Sequence, residues 1–258
     1  MEQHPLVSCL CVSKGRSAFL HTAIKCFFAQ TYKNKQLVLV CSRDDRETIA
    51  LAESFASASI KIVKLGVDPE RSLGELRNIS IENADGEYVC NWDDDDWHHP
   101  ERIAVQVQSV LRHCAYGAIL AREFLYDDVT LKAYFSYRRS WENSLLVSRK
   151  FLANKGYHYP LLNRSEDYNL VNMLLADYAL YPIEDARLYI YRRTGVNVSE
   201  VDHFYMLQGY SSPLSAYKTQ VVASAFDSNK SIEEVAVKMD SNYFLKGLPY
   251  IPNVDQRP

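Results

Sequence analysis

Four consecutive aspartates, Asp93 to Asp96, are the residues of this sequence that most directly suggest chemistry. Like charges this close raise one another's pKa unless a positive group neutralises them. A hard divalent cation would do so, and Mg²⁺ typically takes one or two carboxylates and completes its shell with water and substrate phosphates. The alternative interpretation is an acidic turn solvated at the surface. An EF-hand loop is disfavoured, because Trp97 and His98 stand where that motif needs an Asp or Asn and a Gly.

Basic side chains that suit phosphate precede this run. Arg77 lies on a predicted helix, with Arg71 and Lys14 in neighbouring predicted loops. Arg presents a fixed fork of donors that matches phosphate oxygens, and together with a metal ion it could neutralise a diphosphate. The competing interpretation is that Arg77 pairs with Glu75 or Glu82 on the helix surface.

A pair of acids, Glu166 and Asp167, begins a predicted helix further along the chain. One of these carboxylates, placed near an acceptor hydroxyl, would remove its proton as a general base. Partial burial would raise its pKa toward a working value. The structural interpretation is that Ser165 caps the helix and that the acids interact favourably with its dipole.

A last polar segment follows a predicted strand near residue 193. It contains Arg193, a Gly turn and Asn197, and His203 comes shortly after it. His203 is a candidate metal or phosphate ligand. A lone histidine is more often an ordinary surface or core residue, so both interpretations stay open here.

The elements that must position these side chains alternate between strand and helix over residues 1–100. Hydrophobic periodicity predicts strands at 6–12, 36–41, 60–65 and 87–92 and helices at 17–30, 47–56 and 73–83. This order implies βαβ units with a mostly parallel sheet and helices on both faces. Ligands bind outside the carboxyl ends of such strands, which is where the aspartate run falls.

The second half is predicted to be mixed. A helix at 101–114 is followed by strands at 118–126 and 130–138, a helix at 165–175 and a strand at 188–193. Residues 201–250 are predicted to form a mostly helical tail with breaks at Ser211 and Asn229. Four aromatic residues of this tail are expected in the core: Tyr205, Tyr210, Tyr217 and Phe244.

Composition restricts the class of protein. The chain has 258 residues, of which 47% are hydrophobic and 24% charged, so it can bury a large core. A net charge of −3 gives no global reason to expect nucleic acid or an anionic membrane as partner. The six cysteines include no C-x-x-C pair, and no stretch approaches the ~20 apolar residues of a membrane span. With no signal-peptide pattern, we expect a cytoplasmic protein, with peripheral association at the inner membrane face as an alternative.

Taken together, these segments resemble the bacterial family 2 glycosyltransferases, which have the GT-A fold. The matching segments are 5–12, 28–32, 37–40, 76–78, 84–97, 100–103, 166–167 and 191–199. The resemblance implies an α/β fold with a Rossmann-like, mostly parallel nucleotide-sugar-binding half at 1–100. It also implies a mixed acceptor half at 101–205, which completes a GT-A domain over 1–205, and a helical C-terminal extension at 206–258.

The resemblance also implies roles for the acidic and basic residues. The D-x-D signature of the family falls on Asp93 and Asp95, with Asp95 as the direct ligand of Mn²⁺ or Mg²⁺ and Asp93 near the donor ribose. Arg77 would hold the diphosphate, and Asp167 would be the catalytic base. The full candidate set is Asp167 and Glu166 for catalysis, Asp93, Asp94, Arg77, Asp44, Asp45, Lys14, Arg193 and Asn197 for the donor, and Asp95, Asp93 and His203 for the metal.

Two segments depart from the family pattern. Where the family often has Asp-Asp-Gly-Ser to bind the nucleotide base, this chain has a segment containing Asp44 and Asp45, either of which could substitute. A histidine is common at the position of Thr194, so a histidine ligand here would either be His203 or be absent.

The function predicted from the sequence is metal-dependent, inverting transfer of a sugar from a nucleotide diphosphate sugar, with a UDP-sugar favoured. A glycan acceptor is favoured, and a lipid-linked glycan, a protein or a modified nucleic-acid base stays open. One alternative is a sugar nucleotidyltransferase, since residues 13–16 weakly match the basic, Gly-rich loop of that class. The other is a non-catalytic module that binds nucleotide or carbohydrate.

Overall fold

The structure, a computed structural model, describes residues 4–66, 71–197 and 201–248. Its first part alternates strands and helices, as the sequence predicts. These elements are β1 (Val7–Val12), α1 (Ser17–Ala29), β2 (Lys35–Ser42), α2 (Arg46–Ser54), β3 (Ile60–Leu65), α3 (Leu73–Glu82) and β4 (Tyr88–Asn91).

The middle of the chain mixes short strands with helices. Its elements are β5 (Trp97–His98), α4 (Arg102–Arg112), β6 (Gly117–Leu120), β7 (Phe124–Asp127), β8 (Lys132–Phe135), β9 (Trp141–Ser148), α5 (Arg149–Lys155), α6 (Glu166–Ala176), β10 (Leu180–Ile183) and β11 (Tyr189–Arg193). The tail contains α7 (Val201–Gly209), β12 (Ser212–Pro213), α8 (Ala216–Ala223), α9 (Ile232–Asp240) and α10 (Asn242–Leu245).

The larger sheet has the strand order β10-β6-β9-β4-β1-β2-β3. Strand β1 pairs in parallel with β2 and β4, and β2 pairs in parallel with β3. Strand β9 runs antiparallel between β4 and β6. The chain builds outward from β1 to β3 and then returns to the other side of β1 with β4. The carboxyl ends of β1 and β4 therefore flank the topological switch point, where open α/β sheets bind ligands.

The central strands of this sheet are buried on both faces. Cys9 and Cys11 of β1 belong to one apolar cluster, while Leu10 and Val38 belong to a second one. Helices cover both faces of a largely parallel sheet, so its strands are continuously apolar instead of alternating. This explains why β1 and β2 are visible in the sequence as unbroken hydrophobic runs.

A smaller sheet stands beside the first, in the order β12-β8-β7-β11-β5. Strand β11 pairs in parallel with β7 and antiparallel with the two-residue strand β5. In this pairing Ile190 lies opposite Trp97, which directly follows the aspartate run. The smaller sheet thus holds the end of β11 next to those carboxylates.

The predicted strand over 118–126 is wrong, because the structure divides it between the two sheets. Strand β6 ends in the larger sheet and β7 begins in the smaller one, with Glu123 fully buried between them. Only Ala121, Arg122 and Glu123 separate the two apolar segments, so the sequence conceals this switch. Strand β9 was not predicted either, since the polar residues Glu142, Asn143 and Ser144 follow its first residue, Trp141. The Ser144 hydroxyl accepts a hydrogen bond from the Leu120 backbone at 2.8 Å, which explains a polar residue inside the sheet.

The helical tail is confirmed, with interruptions near the predicted breaks. Phe244 is fully buried, as expected. Tyr205, Tyr210 and Tyr217 are exposed, and their predicted burial is wrong. In α7 the residue that faces the core is Phe204. In α8 the buried residues do not include Tyr217.

The six cysteines are free, and all except Cys114 are buried as small apolar residues. Of the helices in the described ranges, none is long and apolar enough to cross a membrane.

Candidate active site

The aspartate run leaves the carboxyl end of β4 and turns into β5. Two tryptophans, Trp92 and Trp97, bracket it and are fully buried. The Trp92 indole donates a hydrogen bond to the Ala23 carbonyl of α1 at 3.1 Å. The loop is therefore anchored at both ends, and its carboxylates lie at the switch point of the sheet.

Asp96 is satisfied by the protein. One carboxylate oxygen accepts from the Tyr189 hydroxyl at 2.6 Å, and the other accepts from the Arg192 backbone N–H at 2.8 Å. The pKa of Asp96 is raised well above its ordinary value, mainly by burial and secondly by repulsion from Asp95. With both oxygens engaged, Asp96 fastens β11 to the aspartate run and is not available to a ligand.

Asp94 and Asp95 share a single guanidinium, that of Arg16. One terminal nitrogen of Arg16 lies 3.2 Å from Asp94 Oδ1, and the other contacts Asp95 Oδ2. Asn197 donates a further hydrogen bond to Asp95 Oδ2 at 2.9 Å. Burial and repulsion from Asp95 raise the pKa of Asp94 to about 7, although Arg16 opposes the shift.

Arg16 was missed by sequence reasoning, although one signal could have found it. It ends the loop after β1, and the aspartate run follows β4, the parallel neighbour of β1. Charged residues in two loops at the same sheet edge are expected to meet.

Arg77 joins the aspartate run to the acids of α6. Its Nη2 lies 3.1 Å from Asp93 Oδ1, and its Nε lies 3.0 Å from Glu166 Oε1. The guanidinium also stacks over the ring of Tyr159, 5.7 Å from its centroid. The alternative prediction, that Arg77 pairs with Glu75 on the surface of α3, is wrong, because Glu75 pairs with Arg71 instead.

Glu166 and Asp167 differ in accessibility. Glu166 is buried against Arg77, and burial raises its pKa. Asp167 is half-buried, and its Oδ1 accepts a hydrogen bond from the Tyr168 backbone N–H at 2.8 Å. Ser165 holds the N-cap position of α6, but its side chain makes no capping hydrogen bond, so that part of the prediction is wrong. Asp167 is the member of the pair that a substrate can reach.

The late polar segment is divided between two locations. Asn197 joins the carboxylate cluster, as described above, whereas Arg193 pairs with Asp127 at 3.0 Å and stacks on Tyr205. His203 lies on the exposed side of α7. Partial burial and the charge of Arg139 lower its pKa, and Asp167 opposes them. The charge of Asp167 thus acts on His203.

Three further candidates lie in the loops after β1 and β2. Lys14 and Asp44 are exposed at this edge of the sheet. Asp45 caps α2 by accepting from the Thr48 N–H at 3.2 Å, and it also accepts from the Gly15 N–H at 2.6 Å. Asp45 thus ties the two loops together.

The carboxylates fit a hard divalent cation held by few protein ligands. In the part of the chain that the structure describes, no group of three or more His, Cys, Asp or Glu side chains could hold a metal ion. Asp94 Oδ2, however, is buried and has no hydrogen-bond partner. One or two carboxylates with the remaining positions left to phosphate and water is the coordination that Mg²⁺ prefers.

Comparisons with known proteins identify the family. The model of the family described as Glycosyl transferase family 2 matches residues 8–169. An uncharacterized glycosyltransferase of Rickettsia typhi is 30% identical over 125 residues, which cover 45% of this chain and 37% of that protein. The putative glycosyltransferase EpsH of Bacillus subtilis is 22% identical over 92% of this chain and 74% of its own length. The chain thus accounts for just over a third of the Rickettsia relative.

Two solved structures share the fold. TarS of S. aureus, crystallised in complex with UDP, superposes with a TM-score of 0.61 over 86% of this chain and 70% of its own, at 13% identity. The mannosyltransferase PcManGT from Pyrobaculum calidifontis, in complex with GDP-Man and Mn²⁺, gives a TM-score of 0.58 over 92% and 71%, at 12% identity. These superpositions confirm the GT-A fold.

Proposed function

The chain belongs to glycosyltransferase family 2, and from that premise we propose that it transfers a sugar from a UDP-sugar to a hydroxyl acceptor by a metal-dependent, inverting displacement. The observation that carries the proposal is the convergence of Asp93, Arg77 and Glu166. Residues from three separate elements meet at the switch point of the sheet, with Asp167 adjacent and more accessible.

The donor diphosphate is expected at the mouth of the crevice between β1 and β4. Asp95 is the proposed direct ligand of Mn²⁺ or Mg²⁺, with Asp93 close to the ribose and Asp94 supporting. The metal would supply neutralising charge for the departing diphosphate. Arg77 adds a fixed guanidinium, which its two acidic partners pre-orient.

The nucleoside is assigned to the loops that follow β1 and β2. Lys14 and Asp44 are exposed there, and Asp45 fixes the two loops relative to one another. A UDP-sugar is favoured, in line with the TarS complex, although PcManGT was crystallised with GDP-Man.

Asp167 is the proposed catalytic base. It would accept the proton of the acceptor hydroxyl as that oxygen attacks the anomeric carbon from the face opposite the diphosphate, which inverts the configuration. Glu166 keeps Arg77 in place and so has a positioning role. We assign His203, on which the charge of Asp167 acts, to the acceptor side of the site.

A glycan is the favoured acceptor, and the Arg193-to-Asn197 segment is assigned a supporting role. Asn197 holds Asp95 directly, while Arg193 holds the hairpin of β7 and β8 through Asp127. We assign the reaction to the cytoplasm, with association at the inner membrane face as an option when the acceptor is lipid-linked.

A donor screen tests the proposal. Thermal shift and nucleoside diphosphate release are measured with UDP-, GDP- and dTDP-sugars, with and without Mn²⁺, on wild type and Asp95→Ala. Stabilisation and slow donor hydrolysis that both require metal and Asp95 are expected. If no sugar nucleotide shifts the melting temperature with any metal, the proposed donor site is wrong. Release of pyrophosphate from a nucleoside triphosphate would instead indicate a nucleotidyltransferase, and donor binding without any turnover would indicate a non-catalytic module.

A further inference from the structure

Arg16 contacts two of the four aspartates at once. It lies in the N-cap position of α1, and its two terminal nitrogens reach Asp94 Oδ1 and Asp95 Oδ2. Its side chain is 20% exposed, so the pair is largely shielded from water. A forked guanidinium held by two shielded carboxylates is a strong, charge-assisted arrangement.

A divalent cation at Asp95 would need the same oxygen that Arg16 contacts. Asp95 Oδ2 already accepts from both Arg16 and Asn197. Two positive groups cannot share one carboxylate oxygen at bonding distance without repelling each other, so the cation and the guanidinium compete for it.

The surroundings of Arg16 allow its side chain to exchange partners while its backbone stays fixed. The preceding residue, Gly15, has a φ of +61° and is held by its hydrogen bond to Asp45. The guanidinium stacks on the ring of Phe19, 5.2 Å from the centroid, and Arg192 stacks on the same ring at 5.1 Å. Among the described residues, Arg16 Nε is buried without a hydrogen-bond partner, and the ion pairs of its guanidinium are those with Asp94 and Asp95.

We propose that Arg16 is the resident counter-ion of the carboxylate cluster, that a divalent cation displaces it, and that the displaced guanidinium then binds the diphosphate of the incoming nucleotide. This inference rests on the proposed function, because it takes Asp95 as the metal ligand. The fork of Arg16 suits phosphate as well as it suits carboxylate, and the diphosphate would lie against the cation that replaces it. Before the exchange Arg16 neutralises Asp94 and Asp95, and after it the cation neutralises Asp95 while Arg16 neutralises the diphosphate.

The proposal predicts opposite effects of Arg16→Gln on two affinities. Mn²⁺ binding without nucleotide, followed by electron paramagnetic resonance of the free ion, should tighten by about tenfold or more, the factor that one charge-assisted pair typically supplies. UDP affinity at saturating Mn²⁺, measured by calorimetry, should weaken by about the same factor. Unchanged or weaker Mn²⁺ binding would overturn the displacement, and unchanged UDP affinity would overturn the transfer to the diphosphate.

The control is Arg192→Gln, which removes another guanidinium from the same Phe19 ring. Arg192 pairs with Asp128 and does not contact Asp94 or Asp95 through its side chain. It should leave both affinities within about twofold of wild type, which separates direct competition from a general loss of positive charge. A tenfold gain in Mn²⁺ affinity with this variant would contradict the proposal.

Two more variants complete the test. Arg16→Lys keeps the charge but loses the fork, so its Mn²⁺ affinity should fall between wild type and Arg16→Gln. A value equal to that of Arg16→Gln would contradict a role for charge.

Asp95→Ala distinguishes a failure of the proposed metal site from a failure of the inference about Arg16. If Asp95→Ala binds Mn²⁺ as wild type does, the proposed metal site fails. If it loses Mn²⁺ while Arg16→Gln gains nothing, only the inference about Arg16 fails.

Discussion

Arg77 donates to one carboxylate of the aspartate run and to one of α6, so its removal leaves two acids without their counter-charge. Breaking a buried ion pair by removing one partner is costlier than losing the pair as a whole. Arg71, which lies just before α3, offers the contrast, because it pairs with Glu75 of that helix in a more exposed position.

Arg77→Gln is therefore expected to lower the free energy of unfolding by about 3–5 kcal/mol, the usual cost of an uncompensated buried charge. Arg71→Gln should cost at most about 0.5 kcal/mol, as for other exposed pairs one helical turn apart. Urea denaturation of both variants checks this. Equal losses would show that Arg77 is not the central ion-pairing residue of the site.

Asp167→Asn should reduce donor hydrolysis by about 10²–10⁴-fold, the range of a general base. Nucleotide binding should be retained, because Asp167 makes no contact with Arg77 or the aspartate run by hydrogen bond or ion pair among the described residues. The matched control is Asp177→Asn, since Asp177 follows the same helix and pairs with Lys155. A variant of Asp167 that hydrolyses donor at the wild-type rate would remove it as the base.

The residues of the site were only partly predictable from the sequence. The aspartate run, Arg77 and the Glu166 pair were visible because their types are unusual next to buried elements. That Arg193 turns away to Asp127 depends on a contact 66 residues distant in the chain. The hydrogen bond that Asp96 accepts from the Tyr189 hydroxyl likewise joins residues 93 positions apart in the chain. Such pairings follow from tertiary folding, and no local pattern encodes them.

At the scale of elements, the link between β6 and β7 carries a buried acid. Glu123 is fully buried, one of its oxygens has no hydrogen-bond partner, and the other accepts from Asn143 at 3.1 Å. Burial raises its pKa to about 8. The folded protein therefore keeps a proton that the unfolded chain releases above its ordinary pKa, so stability falls as the pH rises through this window.

Glu123→Gln should cancel that loss, because a neutral amide does not titrate. Relative to wild type, the variant should gain about 1–3 kcal/mol of stability between pH 5.5 and 7.5, given about 1.4 kcal/mol per pH unit for a fully shifted group. Denaturation at the two pH values measures the difference. Glu53→Gln, which removes a surface partner of Lys64, is the control. A Glu123→Gln variant whose advantage does not grow with pH would contradict the assignment.

Periodicity located β1 to β4 because these strands are apolar runs, mostly buried in β1, β2 and β4 and half-buried in β3, that are separated by amphipathic helices. It failed at the boundary between the sheets. There only three residues, among them Arg122 and Glu123, separate the apolar residues of β6 from those of β7, and β9 carries Ser144 inward to cap a backbone group. The local hydrophobic pattern indicates that a strand is buried, but it does not indicate which of the two sheets that strand joins.

At the scale of the whole molecule, the tail is part of the core. Phe244 of α10 is fully buried and packs edge-on against Phe124 of β7, with ring centroids 5.4 Å apart. Its neighbour Tyr243 is exposed and contacts Tyr217. The tail therefore supports the smaller sheet, which in turn holds β11 and Asn197 beside Asp95.

Phe244→Ala should lower the free energy of unfolding by about 3–5 kcal/mol, as expected for a fully buried aromatic side chain. Tyr243→Ala should cost about 0.5–1 kcal/mol, since it removes only an exposed ring contact. Calorimetric melting of the two variants makes the comparison. Similar small losses for both would mean that the tail is a separable appendage.

The position of the bound donor and its metal is the sharpest test of the proposed donor site. A crystal structure of the protein with Mn²⁺ and UDP, with the metal located by anomalous scattering, should show the ion bound to Asp95 and to the diphosphate at the carboxyl ends of β1 and β4, with Arg77 at the phosphates. An ion bound elsewhere, or a nucleotide outside that crevice, would contradict the account.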